Sequence, residues 1–218
     1  MRPQYTISVG SVKRDGMSIT EKKHLTIALL VLTLAFTISF SGGLAGVSLA
    51  NFLYIFLLAF VAVGTAFLFH ELAHRMMARK YGCWAEFRMW PMGLMMAVFF
   101  SFFGFVFAAP GAVMISGYIN EEQNGHISAS GPATNWLVGT GFMLGSYILL
   151  LNGNYLWIPL AFVSYINLFI GGFNLLPFGP LDGAKIFRWS VQNYILLVIA
   201  IVGTLLVGRY LGPLSFFI

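Results

Sequence analysis

A single cysteine, Cys83, stands in 218 residues. No internal disulfide can form, and a cysteine-ligated zinc site is excluded. Charge is also scarce. Asp, Glu, Lys and Arg together make up 9% of the chain, where soluble domains carry about 25%. Only seven of these residues are acidic. With 59% hydrophobic residues and a mean hydropathy of +0.85, a soluble globular enzyme, a disordered chain and a fibrous one are all excluded. Internal repeats, low-complexity tracts and linkers are absent too. What remains is an all-α polytopic membrane protein that reads as one unit.

The twelve basic residues outnumber the acids and give a net charge of +5, but they do not form a nucleic-acid patch. They fall in clumps: Arg2, Lys13, Arg14, Lys22 and Lys23; then Arg75, Arg79, Lys80 and Arg88; then Lys185 and Arg188; and Arg209 alone. Each clump borders an apolar run, which is how membrane topology is written. Nucleic acid is therefore not an expected partner; the lipid bilayer is.

Residues 1–24 are polar and basic, and read as a cytoplasmic tail; residues 25–218 read as a single membrane domain. Residues 25–40 are the first apolar run, followed by a small, Gly-rich outer loop. The run 51–69 is long enough to cross the ~30 Å hydrocarbon core as a helix. Three further spans are expected at 132–151, 155–176 and 191–207, with Asn152-Gly153-Asn154 as a polar turn. The positive-inside rule places both the tail and 75–88 in the cytoplasm, with two crossings between them.

The stretch 91–119 admits two readings. Residues 91–109 are apolar for nearly a full crossing, but Pro110-Gly111 interrupts them. Residues 112–119 are too few for a spanning helix, though extended they reach about 26 Å. A re-entrant, β-hairpin-like segment that dips in and returns fits both facts; an ordinary sixth helix is the alternative. The expected fold is thus five or six transmembrane helices with a membrane-embedded re-entrant hairpin. The polar stretch 120–130, with Glu121, Glu122 and His126, reads as a cytoplasmic loop in which His126 is solvated.

Chemistry enters at His70-Glu71-Leu72-Ala73-His74, at the end of an apolar run. Two histidines four apart on a helix share a face and can reach one ion. In H-E-x-x-H they bind Zn²⁺ and the glutamate is the general base. Ionisable residues within a span are costly and usually functional. Catalytic zinc keeps three protein ligands and one open position, so a third ligand is required. Of the other acids, Asp15 and Glu21 lie in the tail, and Glu86, Glu121 and Glu122 flank loops. Asp182 lies at the end of a membrane segment, in Asn174-Leu-Leu-Pro177-Phe-Gly-Pro-Leu181-Asp182-Gly183. Pro177 and Pro180 break helix there. That segment taken alone fits an inward-aimed ligand and a solvated turn equally well.

His70–His74 in an apolar helix, followed by Asn174-x-x-Pro177-x-x-x-Leu181-Asp182-Gly183, closely resembles the site-2 protease family of intramembrane zinc metalloproteases. Gly131-Pro132-Ala133-Thr134-Asn135 is similar to that family's third element, a Gly-Pro-x-x-Asn opening a helix. The resemblance implies one zinc per chain with Asp182 as third ligand. It also implies that Asn135 and Asn174 face the site and hold substrate backbone or the oxyanion; helix capping and inter-helix bonding are the ordinary uses of such residues. The chain has no room for a PDZ insertion or an appended CBS pair, and residues 91–109 are longer than the family's usual hairpin.

The implied activity is zinc-dependent hydrolysis of peptide bonds within or near a transmembrane segment of a substrate protein, with Glu71 as base. The substrate helix must unwind locally, and the strand edge around 112–119 could hold it by strand addition. A metal-ion transporter is the rival, but it would need ligands along a path rather than at one level. A non-catalytic membrane scaffold is a third reading, disfavoured by the complete motif. The expected location is the cell membrane, multi-pass, with the N-terminus cytoplasmic.

Overall fold

In the computed structural model, the residues described are 16–41, 48–107, 109–215 and 217. Most of the expected tail (1–15, with Asp15) and most of the first outer loop (42–47) lie outside them. Helix α1 (Ile19–Phe40) starts six residues before the apolar run does. The Ser18 side chain caps it by accepting the Glu21 N–H. Glu21, expected in a solvated tail, is instead fully buried on this helix. Helix α2 (Leu49–Val63) passes through a π-helical turn (Gly64–Leu68) into α3 (Phe69–Lys80). Strand β1 (Trp84–Met89), the short helix α4 (Pro91–Ser101) and strand β2 (Gly111–Ser116) follow. The chain then forms α5 (Glu121–Leu151), α6 (Trp157–Asn174), α7 (Asp182–Trp189) and α8 (Val191–Tyr210).

Among the described residues, five helices are long and apolar enough to cross a membrane: α1, α2 continuing through α3, α5, α6 and α8. The protein is therefore multi-pass and associates with the bilayer. The sixth crossing does not form. Helix α4 has 11 residues, about 16 Å of helix and half of what a crossing needs. The chain on either side of the excursion, at Trp90 and Pro110, returns together because β1 and β2 pair antiparallel, from Trp84↔Ser116 to Met89↔Gly111. The Trp90 N–H donates to the Pro110 carbonyl at 2.8 Å and closes the base of the excursion. This is the re-entrant arrangement, with a helix on its way in.

The polar stretch 120–130 is not a loop. It forms the first turns of α5, started by a capping box in which the Asn120 side chain accepts the Gln123 N–H and Gln123 accepts that of Asn120. Such a reciprocal cap satisfies two orphan donors and begins the helix well before its apolar part. His126 is accordingly not a solvated side chain. Its Nδ1 lies 2.6 Å from the Tyr81 hydroxyl, and its ring meets Trp189 edge-on at 4.6 Å.

Fully buried alanines, Ala28 and Ala35 on α1 and Ala59 and Ala62 on α2, line the helix contacts of one core cluster. Small residues let membrane helices approach closely where no hydrophobic drive brings them together. The helices α2–α3 and α5 are both far longer than a crossing requires, and their polar extensions, 70–80 and 121–131, lie side by side. That pairing builds the site.

Candidate metal centre

His70 and His74 project from α3 on successive turns, with Nε2 atoms 2.9 Å apart. Asp182, first residue of α7, places Oδ2 at 3.2 Å from His70 Nε2 and 3.0 Å from His74 Nε2. All three residues are buried and form a group able to hold a metal ion. A tetrahedral zinc with bonds near 2.0 Å separates its ligand atoms by about 3.3 Å, so the triangle has the right size. The segment 175–181 breaks helix, and α7 then starts at Asp182, which turns the carboxylate inward. A side chain in place of Gly183 would run into the carbonyl oxygen of Leu175, so the turn closes only on glycine.

The protons can be placed from the partners. The Asn135 amide nitrogen donates to the Ala66 carbonyl at 2.7 Å, because a carbonyl only accepts. Its Oδ1 therefore faces His70 Nδ1 at 2.6 Å and accepts from it. His74 Nδ1 donates to the Ile127 carbonyl at 2.7 Å. With both protons on Nδ1, both Nε2 atoms and the Asp182 oxygen present lone pairs to one point, an arrangement suited to a bound cation. Lys185 Nζ lies 3.5 Å from the other oxygen, Oδ1.

Glu71 is buried beside His70 in the chain, and its Oε2 has no hydrogen-bond partner among the described residues. A buried carboxylate oxygen without a partner is expensive, and it suits a group that must accept a proton from an occupant of the site. The donor set and this free acceptor together fit zinc with its water.

The structure brings together His70, Glu71, His74, Asp182 and Asn135. Asn135 reaches the site, but both ends of its amide are engaged, one on His70 and one on Ala66, so it orients a histidine where an oxyanion donor was expected. Asn174, at the end of α6, makes no hydrogen bond to the site residues among the described ones. Its amide donates to the Ile170 carbonyl at 3.0 Å, back along its own helix. Three contributors were not singled out from the sequence. The Ile127 carbonyl orients His74, and the π-helical turn supplies the Ala66 carbonyl. Gly131 is the third, since a Cβ there would lie 2.5 Å from His74 Nε2 and 2.6 Å from His70 Cε1. The Gly-Pro-x-x-Asn pattern contained that last signal, and the close approach gives its glycine a physical reason.

Two proteins of Methanocaldococcus jannaschii resemble the chain. It is 38% identical over 195 residues to one named "Putative zinc metalloprotease MJ0611", covering 88% of this chain and 94% of that one. It is 27% identical over 173 residues to one named "Zinc metalloprotease MJ0392", covering 79% of this chain and 42% of that one. No family model and no solved structure matches the chain.

Proposed function

The chain belongs to the site-2 protease family of zinc metalloproteases, and from that premise we propose that it hydrolyses peptide bonds within or near transmembrane segments of substrate proteins. The observation that carries this reading is the convergence of His70 Nε2, His74 Nε2 and Asp182 Oδ2, all buried, beside an unpartnered Glu71 carboxylate on a helix long enough to span the membrane. In this reading His70, His74 and Asp182 hold one zinc. Zinc bound there would lower the pKa of its water toward about 7 and polarise the scissile carbonyl. Glu71 accepts the water's proton during attack and returns it to the leaving amine. Asn135 holds His70 in the tautomer that keeps Nε2 free.

The substrate's scissile segment must be extended to expose its carbonyl, and the sheet offers a place for it. The Phe87 and Met89 N–H groups point away from β2, toward α1. In an antiparallel pair, the residues opposite them then point away from β1 as well. The backbone groups of Gly111, Val113 and Ile115 therefore form the outer edge of β2, and no backbone partner meets that edge among the described residues. A substrate strand added there would run beside the site. The basic clumps favour a cytoplasmic N-terminus, with 1–24 on that side preceding one protease domain, in the cell membrane.

The test is Glu71→Gln in purified protein with a tagged model transmembrane substrate. The amide cannot take the proton, and general-base catalysis contributes typically 10²–10⁴-fold. Cleavage should fall at least about a hundredfold while zinc stays bound and substrate still associates. Cleavage as fast as wild type would overturn the mechanism and favour metal transport.

A further inference from the structure

Glu21 is fully buried, on the helix that precedes the metal-binding one. A single oxygen of it, Oε1, lies 2.9 Å from Arg75 Nε and accepts the Phe87 N–H at 3.2 Å. Arg75 directly follows His74, and Phe87 is in the middle of β1. One turn further along α1, His24 Nδ1 accepts the Met89 N–H at 3.4 Å. Before the helix, Ser18 Oγ donates to Glu86 Oε2 at 2.9 Å, and Arg75 Nη2 donates to the Gly16 carbonyl at 3.1 Å. Side chains of α1 thus take the place of a third strand along the outer edge of β1, leaving β2 as the edge open to a substrate.

A buried ion pair is a poor source of stability, because desolvation offsets most of the attraction and well-packed apolar residues often do as well or better. Glu21 Oε2 has no hydrogen-bond partner among the described residues, which adds to its cost. What the carboxylate supplies and a hydrocarbon cannot is an acceptor for the Phe87 N–H on β1 and, from the same oxygen, an ionic contact with Arg75 on α3, whose Nε has no hydrogen-bond partner among the described residues. We propose that Glu21 is a positioning residue that fixes the β1–β2 sheet against the metal-binding helix, and so sets which substrate bond lies over the metal. The inference rests on the peptidase reading above, and it adds a determinant of cleavage position that lies outside the metal site.

The experiment uses the full chain, zinc-loaded, in detergent. Glu21→Met with Arg75→Met removes both charges together and leaves neither buried alone; Glu21→Gln keeps an acceptor for the Phe87 amide. Zinc content, thermal midpoint, kcat and KM on a tagged model transmembrane peptide, and the product ends by mass spectrometry are measured. Hydrogen exchange of 84–89 is followed in parallel in the Glu71→Gln background. The double variant should keep its zinc and its thermal midpoint. Exchange in 84–89 should quicken at least about tenfold, and kcat should fall about 10- to 100-fold through misplacement of the scissile bond. KM should change by less than about threefold, and cutting should spread to neighbouring bonds. Glu21→Gln should retain the wild-type cleavage position. Wild-type kcat, one cleavage position and unchanged exchange in the double variant would overturn the proposal. So would loss of zinc and fold in both variants, which would make the pair a folding element only. Should the zinc-loaded wild type leave the peptide intact, the peptidase reading fails separately. Exchange in 84–89 then decides the link, quickened exchange supporting it and unchanged exchange overturning it.

Discussion

Each histidine ligand presents Nε2 because something else holds its Nδ1, and the two holders sit on α5 eight residues apart, Ile127 and Asn135. Between them Gly131 lets α5 come close enough for both bonds to form. Adding one methyl at that position would press on both rings, at the ligand nitrogen of His74 and at Cε1 of His70. Gly131→Ala should therefore weaken zinc binding about 10- to 100-fold, the usual cost of disturbing what orients a metal ligand, while α5 remains helical, alanine being a better helix former than glycine. Competition with a graded zinc chelator, read alongside circular dichroism, measures both. Wild-type affinity would mean that α5 can withdraw without disturbing the rings. His70, Glu71 and His74 were legible in the sequence because their geometry is local: four residues of helix set the spacing. The holders were not, because a backbone carbonyl has no sequence signature and Asn135 shows its use only once α5 lies against α3.

At the scale of elements, the site depends on two departures from regular structure. The π-helical turn Gly64–Leu68 adds a residue to one turn, which rotates the helix beyond it by about 100° relative to an uninterrupted α-helix. The Ala66 carbonyl within that turn is taken up by Asn135, and the Thr65 hydroxyl by Asn167 of α6 at 2.9 Å. Gly64-Thr65 is the one break in the strongly apolar stretch 52–69, and a Gly-Thr pair does not by itself announce a π-helical turn. The second departure is the strand pair. Its existence could be read from a run too short for a helix after Pro110-Gly111, but the strand that partners it lay hidden in 84–89, beside basic residues. Register yields a sharp contrast between adjacent residues. Val113 points its N–H outward from β2, whereas the N–H of Met114 faces β1. Val113→Pro removes only the outward donor, since proline is tolerated at a strand edge. It should raise KM about five- to tenfold, the worth of roughly one hydrogen bond, with zinc retained. Met114→Pro breaks the ladder itself and should destabilise the hairpin. Steady-state kinetics on the two variants would separate them, and an unchanged KM in Val113→Pro would remove the edge as the docking strand.

Across the whole molecule, composition and the spacing of basic clumps sufficed for a polytopic helical protein, because crossing a bilayer constrains length and polarity in ways that show in any window of the chain. The count of crossings was harder to read, since 91–109 has the composition of a span but not the structure of one. The outcome turns on non-local pairing. With Trp84 opposite Ser116, the chain leaves and re-enters the hairpin at the same level, so the end of α3 and the start of α5 lie on one side of the membrane. This can be tested without any assay of activity. In a chain with Cys83 replaced by serine, a cysteine at position 80 and one at position 122 should react with an impermeant thiol reagent from the same side, the cytoplasmic one by the charge rule. Both positions stand at the polar ends of long helices, and residue 122 is exposed, so access should not limit labelling. Labelling of 122 from the outside alone would require a full crossing between them. The strand pair would then be impossible, and with it the open edge at which the substrate is proposed to bind.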